Sequence, residues 1–381
     1  MSAKERIEAA AVGGADACWH LLWSILGLLV RELRYGRKVR MPLHQRVDLW
    51  RHGFLSESGV LYHGFSEHSR SFYLTDWERF FYTHGLNAPF DYILHDKFAT
   101  WSFLGNFTDK IFPLTGVVSD GRFWPIDGSR TEPTATGLAR MSARHVLKPN
   151  IGSGGAAVHL YSNNNGHILD GEPVTEQALQ KHLRNGIYLV CPFVEQGEYA
   201  KAIFPDTTNT IRILTMYDID KGDAFVAAAA HRFGARTSRG LADNWGRGGI
   251  CAGVDVDTGI LSQAYTFPSK GKLAVHTSHP DTGAAIAGTG VPDWTRLRDE
   301  IVALARRLPF LPYIGWDIVR TNDSYVILEG NNRTNINLLQ VHRPLLEKPE
   351  VRAFYASRGV LRKLRRAVGT VARCDPAELD A

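Results

Sequence analysis

Apolar positions fall into two rhythms along this chain. Over the first hundred residues, alanine-rich and leucine-rich stretches read as largely helical, followed by an aromatic, polar run from 61 to 90. Within that run, SFYLTDWERFFYTH at 71–84 places Thr75 three residues before Glu78, the spacing of a capping box, with the aromatics packing one helical face. From about 111 the apolar runs shorten and are broken by Gly, Pro and Asp. Strands are predicted at 111–118, 145–148, 156–161 and 186–190 with a helix at 175–183, a compact α+β unit of roughly 80 residues. A second strand-rich series follows at 210–217, 224–233, 265–267, 314–320 and 324–328. Its helix, at 294–307, is started by Pro292 and Asp293. No internal repeat, low-complexity tract or long linker is visible.

Composition limits the function classes. At 381 residues the chain is long enough for two or three structural units sharing a site, and 44% hydrophobic with 22% charged residues is the balance of a globular protein. The net charge of +5, from 44 Lys and Arg against 39 Asp and Glu, suits an anionic ligand such as a nucleotide. It supplies no broad basic surface of the kind that nucleic acid requires. Cys18, Cys191, Cys251 and Cys374 are far apart without CxxC spacing, so neither a disulfide framework nor a zinc site is expected, and a reducing cytoplasm is the expected setting.

Two segments bear on partners. LLWSILGLLV at 21–30 is too short to span a bilayer and reads as a buried or dimer-forming helix. Arg31, Arg34, Arg37, Lys38 and Arg40 follow it and keep peripheral membrane contact through 18–40 as the alternative. Arg358, Arg362, Lys363, Arg365, Arg366 and Arg373 make the C-terminal tail basic, read as a solvated helix.

The first chemical signal is LKPNIGSGG. A strand ending in Lys148 runs into Gly152, Ser153, Gly154 and Gly155 before another apolar run, so that backbone N–H groups can cradle phosphate oxygens while the ammonium supplies a point charge. The lysine precedes its glycines, unlike the Walker or GxGxxG patterns. A plain hairpin turn is the competing reading. GIYLVCPF at 186–193 offers a strand and connection against which adenine can lie, taking hydrogen bonds from its backbone. Glu195 or Glu198 then stands near a ribose, and either can equally be a surface acid.

The second signal is GWDIVR, a short turn, then YVILEGNN. Two antiparallel strands around that turn bring Asp317 near Glu329, and with the Asn331 carbonyl these are hard oxygen ligands suited to Mg²⁺ shared with nucleotide phosphates. Polar strand ends paired with an arginine are the competing reading.

Taken in order, these pieces resemble the ATP-grasp superfamily, and more narrowly its sugar-transfer-associated branch related to α-L-glutamate ligases, over roughly 96–345. The resemblance implies an α+β fold in which two subdomains sandwich ATP and a mobile lid carries Lys148. The expected division is a mainly helical region at 1–95, a lid subdomain and hinge at 96–195, a metal-binding subdomain at 196–345 and a basic tail at 346–381. The resemblance adds Lys97 as a second nucleotide lysine and puts the adenine hinge at about 190–194, with Val190, Cys191, Phe193 and Val194. Arg212, Arg232 and Arg320 are expected near the transferred phosphoryl, and Asn209, Asp243, Asn244, His279, Asp281 and Thr282 near substrate. For the last group, a loop held together by His279 and Asp281 is the alternative. ATP and Mg²⁺ are the implied cofactors and a small carboxylate and an amine the implied substrates, joined through an acyl phosphate. A kinase acting on a small-molecule hydroxyl is the alternative outcome, with a non-catalytic nucleotide-binding module after it.

Overall fold

A computed structural model describes residues 22, 24–36, 39, 41–62, 69–141, 143–152, 155, 157–238, 243–268 and 273–361. Ser153, Gly154 and the tail beyond 361 lie outside the described residues. The chain divides into two compact units, one formed by 1–88, 268–274 and 335–381, the other by 89–267 and 275–334.

The larger unit carries two antiparallel sheets. The first contains β1 (Gly116–Ser119), β2 (Arg122–Pro125), β3 (Glu132–Pro133), β4 (His145–Pro149), β5 (His159–Asn163), β6 (His167–Leu169), β7 (Glu172–Pro173) and β8 (Tyr188–Pro192), in the spatial order β3-β2-β1-β8-β4-β5-β6-β7. Successive side chains of a strand point to opposite faces. On one face Val118, Leu147, Tyr161 and Val190 pack with the helices Thr134–Ala139 and Glu176–Leu183. On the other, Leu189 and Cys191 join Phe112 and Leu114. Lys148, one residue on from Leu147 and paired with Leu189, projects to this second face.

The second sheet contains β9 (Ile211–Asp218), β10 (Asp223–Phe233), β11 (Ile250–Val254), β12 (Leu261–Thr266), β13 (Val275–His276), β14 (Tyr313–Arg320) and β15 (Tyr325–Asn331), in the order β13-β12-β11-β10-β9-β14-β15. Helix Trp294–Arg306 buries Trp294, Leu297, Ile301, Leu304 and Ala305 against it, the stripe that a 3.6-residue period produces. Every residue of β14 is buried, so this strand is covered on both faces. Each predicted strand has a counterpart within a few residues, except that 111–118 shrinks to β1 with Phe112 donating separately to Ile327. Strands β2, β3, β6, β7, β11 and β13 have no counterpart among the predicted ones; they carry two to five residues each, too few to display a period.

In the smaller unit, helix Asp76–Tyr82 begins with the expected capping box. The Glu78 N–H donates to the Thr75 hydroxyl and Glu78 Oε2 accepts from the Thr75 N–H, each at 3.0 Å. The apolar segment at 21–30 corrects the buried-helix expectation. Its described residues are helical from 24, yet Leu22, Ile25, Leu26, Leu29 and Val30 are exposed. No helix of the described residues is long and apolar enough to cross a membrane.

Candidate nucleotide and metal site

The β14–β15 hairpin places its polar residues by register. Asp317 pairs with Glu329 and Gly315 with Asn331, which puts both carboxylates and the amide on one face. Gly315 matters for its missing side chain. A Cβ there would fall 2.3 Å from the Thr334 hydroxyl, whose close approach lets it accept from Arg212 Nη1 at 2.8 Å.

Arg212 lies on β9 opposite Asp317 and grips it with both forks, Nε to Oδ1 at 2.6 Å and Nη2 to Oδ2 at 2.9 Å. Arg232 on β10 adds a second guanidinium 3.3 Å from Asp317 Oδ1 and 3.5 Å from Asp243. It also donates to the Thr210 hydroxyl, and that hydroxyl donates to Asp243. Burial opposes ionisation of Asp317, but Arg212 and then Arg232 outweigh it and hold the carboxyl below its ordinary range. Glu329 moves the opposite way. Burial and then the neighbouring Asp317 charge raise its pKa, outweighing the opposite pull of Lys97, Arg212 and Lys148.

The lysines approach from the first sheet and the helix Lys97–Leu104. Lys97 Nζ stands 3.8 Å from Glu329 and donates to the Gly152 carbonyl at 2.9 Å. Asn150 fixes that geometry. It donates to Asp96 at 2.6 Å and accepts from the Phe98 N–H at 2.9 Å, clamping the helix start to the end of β4. Lys148 Nζ lies 3.1 Å from the Phe112 ring centroid and 3.3 Å from the Leu328 carbonyl, and burial lowers its pKa to about 8. Cys191, on the same face, has its thiol pushed up to about 11 by burial and stays neutral.

The residue set fits a hard cation. Asp317 and Glu329 supply two carboxylates on one sheet face, oxygen donors of the kind a hard divalent cation takes. Asn331 donates through Nδ2 to the Gly315 carbonyl at 3.1 Å and to Asp317 at 3.4 Å, which turns its Oδ1 the other way.

The other sequence-predicted residues sit elsewhere or serve the framework. Arg320, expected beside the phosphoryl group, is committed to the Pro292, Thr321 and Ser324 carbonyls and to Asp293 at 2.5 Å, nearly all of its donors. Asn209 is a buried hub that donates to the Ala200 and Phe204 carbonyls and accepts from Gly234. Asn244 caps the short helix Trp245–Arg247. His279 bonds the Gly234 carbonyl at 2.8 Å and stacks on Phe204, Asp281 accepts from the Arg236 N–H, and Thr282 donates to the Ile203 carbonyl. These three therefore brace a loop, the alternative reading of that segment.

At the hinge, Val190 and Cys191 end β8, Phe193 donates its N–H to Arg144 at 2.9 Å, and Val194 follows. Glu195 is exposed and paired with Arg144, and Glu198 opens the helix Glu198–Ile203, paired with Lys201 at 3.1 Å. Gly152 has φ 143° and Gly155 φ 69°, backbone that favours glycine. Sequence reasoning missed Asn150, Phe112, Thr210 and Thr334. None carries a local signal, because each acts on a partner distant in the chain.

Comparison with known proteins follows the same lines. Residues 82–349 match the family described as sugar-transfer-associated ATP-grasp. No curated protein matches the chain in sequence. Among solved structures, D-cycloserine synthetase DcsG is similar over 70% of this chain and 71% of that one, at 15% identity and TM-score 0.38. The D-alanine–D-alanine ligase from Bacillus anthracis is similar over 73% and 70%, at 11% identity and TM-score 0.36. The L-amino acid ligase from Bacillus licheniformis is similar over 65% of this chain but 43% of that one, at 13% identity and TM-score 0.35. The family match spans well over half of the chain, and the protein belongs, with its α+β fold, to the sugar-transfer-associated ATP-grasp family.

Proposed function

We propose that the larger unit binds ATP with Mg²⁺ and activates a small carboxylate as an acyl phosphate, which an amine then attacks. The observation that carries this reading is the pairing of Asp317 and Glu329 on one sheet face with Lys97 3.8 Å from Glu329. The charges around that point are Lys97, Lys148, Arg212 and Arg232 against Asp317, Glu329 and Asp243. With all of them ionised, four positive and three negative charges leave a surplus of one, a setting for an anionic ligand.

Asp317, Glu329 and Asn331 would hold Mg²⁺, which when bound offsets phosphate charge. Lys148, at the mouth of the β4–β5 hairpin, meets a phosphate as a point charge. Lys97 ties the Asn150–Gly152 backbone in place beside the same ligand by donating to the Asn150 and Gly152 carbonyls. Arg232 has its charge shared between two carboxylates and so can lend a donor to an incoming oxyanion without leaving Asp317 unpaired. In the transfer the carboxylate oxygen bonds to the γ-phosphorus and the β,γ-bridging P–O bond breaks, releasing ADP. The amine then displaces phosphate from the acyl carbon and loses a proton. Positioning and fixed charge suffice for both steps, with no protein nucleophile.

Hydroxylamine intercepts acyl phosphates as hydroxamates and so tests the reading directly. Incubation with Mg-ATP, pooled small carboxylic acids and hydroxylamine is expected to yield ADP and hydroxamate together, with both lost in Glu329→Gln. ADP accompanied by a stable phosphorylated hydroxyl compound, and no hydroxamate, would replace the ligase with a kinase.

A further inference from the structure

The helical run at 24–31 is inside out for a helix of a water-soluble domain. Ser24, Gly27 and Arg31, spaced by three and four, face the protein: Ser24 Oγ donates to the Phe80 carbonyl at 2.9 Å, a Cβ at Gly27 would lie 3.3 Å from the Phe80 ring, and Arg31 pairs with Glu57 at 2.6 Å. Leu22, Ile25, Leu26, Leu29 and Leu33 recur at the same spacing on the opposite side, with Val30 beside them. All six are exposed, from 43% at Ile25 to 60% at Leu22. Normally the apolar stripe is the one that packs. Here the small and polar stripe packs and the apolar one faces out.

Charge indicates what covers this face. From 31 to 40 the sequence carries Arg31, Arg34, Arg37, Lys38 and Arg40 against one acid, Glu32. That acid is already engaged, accepting from the Ser56 N–H at 3.0 Å and from its hydroxyl at 2.5 Å. An apolar face of three turns followed directly in sequence by a run of basic residues matches a bilayer surface with anionic headgroups, where the leucines enter the acyl boundary and the basic segment stays near the phosphates. A second copy matches less well. It offers the same basic sequence at 34–40 rather than an acidic one to complement it.

We infer that the exposed face of residues 22–33 is a docking surface for an anionic membrane, on which the protein lies without spanning it. Docking does not depend on the ligase reading.

Co-sedimentation of the full chain with vesicles tests it, comparing phosphatidylcholine alone with phosphatidylcholine containing phosphatidylserine. The expected result is binding to the anionic vesicles at least tenfold stronger than to neutral ones, weakening as salt is raised. Ile25→Asp/Leu29→Asp should lose at least tenfold in binding while keeping the wild-type melting temperature, since both side chains are exposed. Should that variant fold poorly, Arg37→Glu/Lys38→Glu/Arg40→Glu must show the same loss by the electrostatic route. Equal binding of the folded variants and the wild type would overturn the proposal and assign any lipid affinity to the basic tail. A stable dimer that Ile25→Asp/Leu29→Asp dissociates, with no vesicle binding, would overturn it in favour of a second copy.

Discussion

Nucleotide binding should take up a proton at alkaline pH, and Lys148 is the group that accepts it. Its ammonium sits over Phe112 with one carbonyl in reach, and burial, the largest cause, brings its pKa down to about 8. A phosphate placed on that ammonium restores the charged form and returns the pKa toward the ordinary value of 10.5. At pH 8.5 about a quarter of the free protein carries the proton, so saturation with Mg-ATP takes up roughly 0.7 proton per site; at pH 7 the uptake falls to about 0.1. The sign follows from the direction of the shift. The free protein gives up the proton first as pH rises through 8, so apparent affinity falls above pH 8, by up to about tenfold per unit. Titration calorimetry with a non-hydrolysable ATP analogue, in buffers of equal pH and different ionisation enthalpy, reads the uptake directly. Lys148→Arg keeps its charge throughout and should show no uptake at pH 8.5. Equal uptake by the variant and the wild type would refute the assignment of this proton to Lys148, and absence of uptake in the wild type would refute its burial.

The remaining predictions concern what holds the site in shape. Arg212→Ala leaves the buried Asp317 carboxylate without its bidentate partner and should cost about 3 kcal/mol in urea unfolding, where a loss below about 1 kcal/mol would mean Asp317 is solvated instead. Arg320→Ala should lower stability by about 3 kcal/mol, because buried carbonyls lose their donor, while kcat and KM of the remaining folded enzyme stay near wild type. A hundredfold fall in kcat at unchanged stability would return Arg320 to the catalytic group. Thr75→Ala removes the reciprocal cap of helix Asp76–Tyr82 and should cost about 1 kcal/mol by thermal or urea melting.

What the sequence determined by itself was local. The Thr75–Glu78 cap and the helices expected at 175–183 and 294–307 each depend on residues within a few turns, so the local sequence reveals them. The Asp317–Glu329 pair was legible for the same reason, since a short turn fixes the register of its two strands. The tertiary structure decided which strand lies beside which. Only the adjacency of β9 and β14 brings Arg212 onto Asp317, and only the meeting of Lys97 with the end of β4 makes Asn150 a clamp. The same limit separates Arg320 from Arg212. Both are arginines in strand-like runs, and the backbone carbonyls that claim Arg320 come from a helix start and a turn that no spacing rule connects to it. Residues 22–33 show the limit most plainly: periodicity identifies an apolar stripe, but which side of a helix packs is set by its neighbours, here Phe80 and Glu57.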